Sequence, residues 1–191
     1  MIDKSLVKAV GEDNARYLMG KLRSVEGFPR PRVVFRDIMP LISDAKAYHI
    51  LLDALVSTLP VPASDFDYVG GLEARGFLIG APLADRLGRG FVPFRKNGKL
   101  PPPVLREDYQ LEYGISSVEV EKNLIEPNSK VLIVDDLMAT GGTAVSAARL
   151  VKRLHAGVAG FCFLIELKGQ GGRERLSGIP VSTLIQFPER A

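Results

Sequence analysis

The sequence predicts an α/β protein built on a mostly parallel central sheet flanked by helices. Three observations predict it. Apolar, β-branched runs recur along the chain and alternate with segments of helical periodicity. The strongest run, Val131-Leu132-Ile133-Val134, is apolar at every position, as expected of a strand buried on both faces of a parallel sheet. Glycine pairs sit where strands hand over to helices, at Gly70-Gly71 and Gly141-Gly142. Such alternation implies right-handed crossovers, with ligands bound at the carboxyl ends of the strands.

Composition narrows the function classes. A chain of 191 residues with 46% hydrophobic and 25% charged residues suits one soluble globular domain. At that size roughly 70% of the unfolded surface is buried on folding. The net charge of +3 favours an anionic ligand only weakly, and no dense Lys/Arg face suggests nucleic acid. Cys162 is the only cysteine, so no intramolecular disulfide is possible, and its setting in Ala159–Ile165 reads as core packing in a buried strand. The start, Met1-Ile2-Asp3-Lys4, lacks the apolar stretch of a signal peptide, and no segment is suited to span a bilayer. No membrane partner and a cytoplasmic location are therefore expected. There is no internal repeat or low-complexity tract.

The elements follow in order. Leu6, Val10, Leu18 and Leu22 recur at helix-compatible spacing, predicting helix over most of Ser5 to Val25 with a break at Gly11. Gly27-Phe28-Pro29-Arg30-Pro31 stops it, since proline lacks a donor and restricts its predecessor. Val33 to Ile38 is a short extended piece. Ser43 or Asp44 can cap the next helix, which carries Ile50, Leu51, Leu55 and Leu59 on one side, and His49 in it is assigned no role. Phe66 to Gly71 reads as a strand, and Leu72 to Gly76 as a turn opening a helix through Phe77, Ile79 and Leu83 to Gly88. Phe91 to Phe94 is a further strand.

Arg95 to Asp108 then reads as a long polar connection around Pro101-Pro102-Pro103, of a length typical of lids and binding loops. Gln110–Gly114 and Val118–Glu121 form a returning hairpin. A helix is predicted from about Thr143 to His155, with Ala144, Ala148, Val151 and Leu154 toward the sheet. Arg149, Lys152 and Arg153 suit the negative end of its dipole, and Gly157 stops it. A strand from Phe161 to Ile165, a short helix over Gly171–Leu176 and a strand from Val181 to Phe187 complete the chain.

The chemistry concentrates after Val134. Two adjacent carboxylates, Asp135 and Asp136, are followed by Leu137-Met138 and then Ala139-Thr140-Gly141-Gly142-Thr143. Unpaired amides at a helix N-terminus, with glycines that let backbone approach closely, form a phosphate cradle. Thr140 and Thr143 add hydroxyl donors, and the acids can hold sugar hydroxyls, Mg2+, or both. No Gly-x-x-x-x-Gly-Lys-Ser/Thr loop accompanies the acids, which argues against a nucleoside triphosphatase, and the dinucleotide fingerprint is absent at this turn.

Acids, spacer and Ala-Thr-Gly-Gly-Thr together resemble the 5-phosphoribosyl-1-diphosphate (PRPP) signature of type I phosphoribosyltransferases. Val33–Ile38, Gly71–Phe77, Arg95–Pro101 and Leu111–Gly114 also resemble the adenine phosphoribosyltransferase family, in that order. The resemblance implies a single domain over 1–191, with a hood at 1–40 and a flexible catalytic loop at 95–114. It carries base binding onto Val34, Phe35 and Arg36, and diphosphate binding onto Glu73, Ala74 and Arg75, with a cis peptide between Glu73 and Ala74. Lys99, Lys96 and Arg95 would reach the diphosphate from the loop. The cradle Ala139–Thr143 would hold the 5′-phosphate, and Asp135 and Asp136 the ribose hydroxyls and Mg2+, directly or through water or substrate. Glu112 is implied in proton exchange with the purine, and Tyr113 in holding the loop closed; Glu112, Arg75 and Lys99 are the implied catalytic set.

Ala139 stands where the hypoxanthine–guanine enzymes usually have aspartate, and orotate enzymes usually read Thr-Ala-Gly across this turn, so adenine is the implied base. Asn97 and the three prolines depart modestly from the family pattern. The implied reaction is adenine plus PRPP giving AMP plus diphosphate, Mg-dependent, in purine salvage, by a homodimer. The competing readings are a phosphoribosyltransferase for another base and a PRPP-sensing regulator. Such regulators carry a DNA-binding module ahead of the fold, for which the segment before Val33 is too short.

Overall fold

The structure, a computed structural model, describes residues 4–111 and 114–188. The chain packs as two compact units, Met1–Ser57 and Thr58–Ala191.

In the first unit, α1 (Lys4–Val10) and α2 (Glu12–Lys21) are separated at Gly11, whose φ of 78° belongs to the left-handed region. The helix expected to reach Val25 stops at Lys21. Leu22 is extended, and β1 (Arg23–Glu26) pairs antiparallel with β2 (Val34–Asp37), setting Val25 opposite Phe35. A strand partner about ten residues away is invisible to local periodicity, so the ladder overrides the helical spacing. The one-turn helix α3 (Met39–Ser43) was not anticipated; Asp37 Oδ1 accepts from Met39 N at 3.0 Å at its start. The helix α4 (Ala45–Ser57) begins as predicted, with Asp44 Oδ1 accepting from Ala47 N at 2.9 Å.

The second unit carries β3 (Tyr68–Leu72), α5 (Arg75–Leu87), β4 (Gly90–Lys96), β5 (Val104–Leu111), β6 (Gly114–Glu121), β7 (Lys130–Met138), α6 (Gly142–Arg153), β8 (Gly157–Leu167), α7 (Gly172–Arg175) and β9 (Val181–Phe187). Its strands form one seven-stranded sheet in the order β5-β6-β4-β3-β7-β8-β9. In that order the five from β4 to β9 run parallel, while β6 pairs antiparallel with β4 and β5 antiparallel with β6. This is the mostly parallel sheet the sequence predicts. Val131, Ile133 and Phe161 on the strands and Ala147 and Val151 on α6 are fully buried in one apolar cluster. From β3 the chain steps to β4 on one side and later to β7, β8 and β9 on the other. The carboxyl ends of β3 and β7 are therefore a topological switch point, where open α/β sheets bind ligands.

Two elements differ from expectation. β7 does not end at Val134 but continues through both acids to Met138, because β8 supplies a parallel ladder that pairs Asp135 with Phe163 and Met138 with Glu166. The open connection expected from Arg95 to Asp108 is half strand: β4 runs to Lys96, and β5 starts at Val104, leaving only 97–103 open. Its alternation is masked by a charge on the inner side. Leu105 and Tyr109 pack against the core, while Glu107 between them pairs with Arg149 at 3.3 Å and Arg153 at 3.1 Å on α6.

Candidate active site

Two strand-to-helix turns meet at the switch point. At the end of β3, Glu73 N donates to Phe94 O at 2.9 Å, and the Glu73–Ala74 peptide is cis. α5 opens at Arg75, and Gly76 brings its first turn close to β7. A Cβ on Gly76 would lie 2.8 Å from Val134 O and 3.0 Å from Asp135 Oδ1, so no side chain fits there. This approach places Arg75 Nε 2.8 Å from Asp136 Oδ2. On the other flank of β3, Glu73 Oε2 accepts from Lys96 N at 2.8 Å and lies 3.3 Å from Arg95 Nε.

The acids differ in their surroundings. Asp136 is buried, and burial raises its carboxyl above the usual range against the opposing pull of Arg75. Asp135 is raised further, by burial first and then by the neighbouring Asp136 charge. Its Oδ1 accepts from the Asp136 amide at 2.9 Å. Two carboxyls in this state gain most from a ligand that brings hydroxyl donors or positive charge to them.

At the end of β7, Gly141 takes a φ of 75° and turns the chain into α6. The first intrahelical bond runs from Val145 N to Gly141 O at 3.0 Å, so the amides of Gly142, Thr143 and Ala144 precede the helical ladder. Together with the helix dipole they make an anion-binding terminus. Residues Leu137 to Ala144, with Asp135, Leu72 and Phe163, line a cavity of about 120 Å³. A second cavity of about 280 Å³ is bounded by Glu73, Lys96, Tyr109, Asp135 and Thr143.

The structure thus brings together Glu73, Ala74, Arg75, Arg95, Lys96, Asp135, Asp136, Ala139, Thr140, Gly141, Gly142 and Thr143 at one end of the sheet. Lys99 is exposed on the connection after β4, where its carbonyl accepts from Arg95 Nη1 at 2.9 Å. Val34, Phe35 and Arg36 lie on β2 of the first unit, where the Phe35 and Phe28 rings meet edge to face at 5.2 Å and Arg36 donates to Ser24 Oγ. Glu112 and Tyr113 lie outside the described residues. Sequence reasoning missed Tyr109, whose hydroxyl lies 3.3 Å from Thr143 Oγ1. An aromatic within a polar stretch was the available signal.

The chain is similar to known proteins over most of its length. A family model described as the phosphoribosyl transferase domain matches residues 63–187. The adenine phosphoribosyltransferase of Bifidobacterium adolescentis is 49% identical over 187 residues, covering 98% of this chain and 97% of that protein. The chain belongs to the adenine phosphoribosyltransferase family. Its fold is the family's type I phosphoribosyltransferase fold. The enzyme of this family from Thermoanaerobacter pseudethanolicus superposes with a TM-score of 0.86 at 44% identity, covering 90% of this chain and 99% of that one. That from Saccharomyces cerevisiae, solved with adenine and D-2,5-dideoxy-2,5-imino-altritol 1,6-bisphosphate, gives 0.82 at 40% identity, covering 90% and 98%. Among the described residues no helix is long and apolar enough to cross a membrane.

Proposed function

We infer that this protein transfers the 5-phosphoribosyl group of PRPP to adenine, releasing AMP and diphosphate in purine salvage. The observation that carries the reading is the pairing of Asp135 and Asp136 with the Ala139–Thr143 cradle at one switch point, in a chain of this family. The amides of Gly142 and Thr143 and the threonine hydroxyls hold the 5′-phosphate. Asp135 and Asp136 accept from the ribose hydroxyls and steady the positive charge that develops on the sugar as the anomeric bond opens. Arg75, with Arg95, Lys96 and Lys99, neutralises the departing diphosphate. Val34, Phe35 and Arg36 hold the base, Glu112 exchanges its proton, and Tyr113 helps keep the loop over PRPP.

Mg2+ fits this donor set as an ion carried by substrate. Asp135 and Asp136 would hold it at the carboxyl end of β7, directly or through water or substrate. Bound there, the ion would stabilise charge on the leaving group. The protein works as a cytoplasmic homodimer, testable by light scattering of the purified chain.

The deciding experiment offers PRPP and Mg2+ with adenine, hypoxanthine, guanine or orotate in turn. Adenine and PRPP are consumed with AMP formed, and the other bases are left largely untouched. A preference for a 6-oxopurine would overturn the choice of base. A folded protein that binds PRPP and turns over none of the four would favour a sensing role.

A further inference from the structure

The cradle is backed on its far side by α7. Gly172 packs so closely on it that a Cβ there would stand 2.3 Å from Ala139 O and 3.0 Å from Met138 Cγ. A Cβ on Gly141 would in turn stand 3.1 Å from Gly172 O. The contact is backbone against backbone, so a shift of α7 reaches the cradle with no side chain to absorb it. α7 itself has four residues, too few to hold its place by helical bonding.

What holds it is a carboxylate at the end of β8. Glu166 is 5% exposed and accepts from Arg173 Nε at 2.9 Å, Arg173 Nη2 at 2.6 Å, Thr183 Oγ1 at 3.0 Å and Gln186 Nε2 at 3.2 Å. Arg173 also donates to Thr183 Oγ1 at 3.1 Å and to Val181 O at 3.4 Å. The fork-to-carboxylate geometry fixes direction as well as distance, which a lysine ammonium does not. The pair is a weak source of net stability, because Glu166 loses water on burial while Arg173, with 43% of its side chain exposed, stays screened by solvent. Its distinctive contribution here is to orient α7, one residue beyond the glycine that abuts Ala139.

We propose that Glu166 and Arg173 are positioning residues of the sugar-phosphate site: through Gly172 their ion pair sets the backbone of Ala139–Thr143 that receives the 5′-phosphate. This rests on the reading of that turn as the PRPP cradle. Neither side chain touches substrate. Both act through the peptide units of Gly171 and Gly172. Misplacement of a binding element by about 1 Å is enough to cost on the order of 10²-fold in rate.

The test is steady-state kinetics of Gly172→Ala, Arg173→Ala and Arg173→Lys with PRPP and adenine varied separately. AMP formation by the unaltered protein checks the functional reading on its own. Gly172→Ala and Arg173→Ala are expected to raise the KM for PRPP about tenfold, with the KM for adenine within about twofold and Arg173→Lys falling between. A Cβ at position 172 meets Ala139 O whatever holds α7, so Gly172→Ala reports the backbone contact and the two Arg173 variants report the ion pair; Arg173→Lys, which keeps the charge and loses the fork, decides the matter if Arg173→Ala does not fold. A PRPP KM unchanged from the unaltered protein in the folded Arg173 variants, one within about twofold of it in Gly172→Ala, or equal rises in both KM values, would overturn the proposal.

Discussion

Arg75 Nε lies 2.8 Å from Asp136 Oδ2, joining the first residue of α5 to a strand carboxylate only 3% exposed. The pair exists because Gly76 lets α5 descend onto β7 without a side chain between them. The Arg75 charge draws the Asp136 carboxyl back toward its ordinary range against the larger effect of burial. Replacing Asp136 by alanine should lower kcat by roughly 10²-fold or more, since charge stabilisation at the anomeric carbon is lost. Near-normal turnover of a folded Asp136→Ala protein would remove the pair from the mechanism.

Glu166 provides a prediction in pH. Arg173 draws its carboxyl below the ordinary value of 4.5, against the opposing effect of burial and with help from Thr183. A carboxyl whose folded pKa is depressed stabilises the fold fully above its unfolded value and loses that contribution as pH falls through the folded value. The thermal midpoint of the unaltered protein should therefore fall more steeply below about pH 4.5 than that of Glu166→Gln. Parallel curves would mean that the Glu166 carboxyl is not held below its ordinary value in the fold.

Tyr109 and Thr143 link the β5–β6 hairpin to the cradle by a hydroxyl contact of 3.3 Å. Tyr109→Phe keeps the ring that packs on the core and deletes only that link. A neutral hydrogen bond of this kind is worth about 1 kcal/mol, so the KM for PRPP should rise by roughly threefold to tenfold with kcat little changed. An unchanged PRPP KM would show that the contact plays no part in substrate binding.

Cys162 is fully buried, and burial pushes its thiol up to about 11. It should resist a disulfide reagent at pH 8 in the folded protein and react fully in denaturant, because both access and thiolate are lacking in the fold. Prompt labelling of the native chain would contradict its place on β8.

The strand-turn-helix at Val131–Thr143 was legible because its signals are local: a run of β-branched residues, two acids and a glycine turn within one stretch. The turn at Glu73–Arg75 and the helices α4, α5 and α6 were legible for the same reason. β1, the true extent of β5 and the reach of β7 past the acids were not. Each depends on a ladder partner elsewhere in the chain, and in β5 the inward Glu107 hides the alternation until Arg149 and Arg153 are seen opposite it.

The sequence by itself determined the α/β class, the two strand-turn-helix units at Gly70-Gly71 and Gly141-Gly142, and the grouping of acids, glycines and threonines after Val134, since helical and strand periods and turn residues are written in neighbouring positions. Only the tertiary structure decided which groups meet: Arg75 with Asp136, Tyr109 with Thr143, and Gly172 with Ala139. The reason is physical. These contacts are set by sheet order and by how closely two backbones approach, and neither quantity is carried by any single stretch of chain.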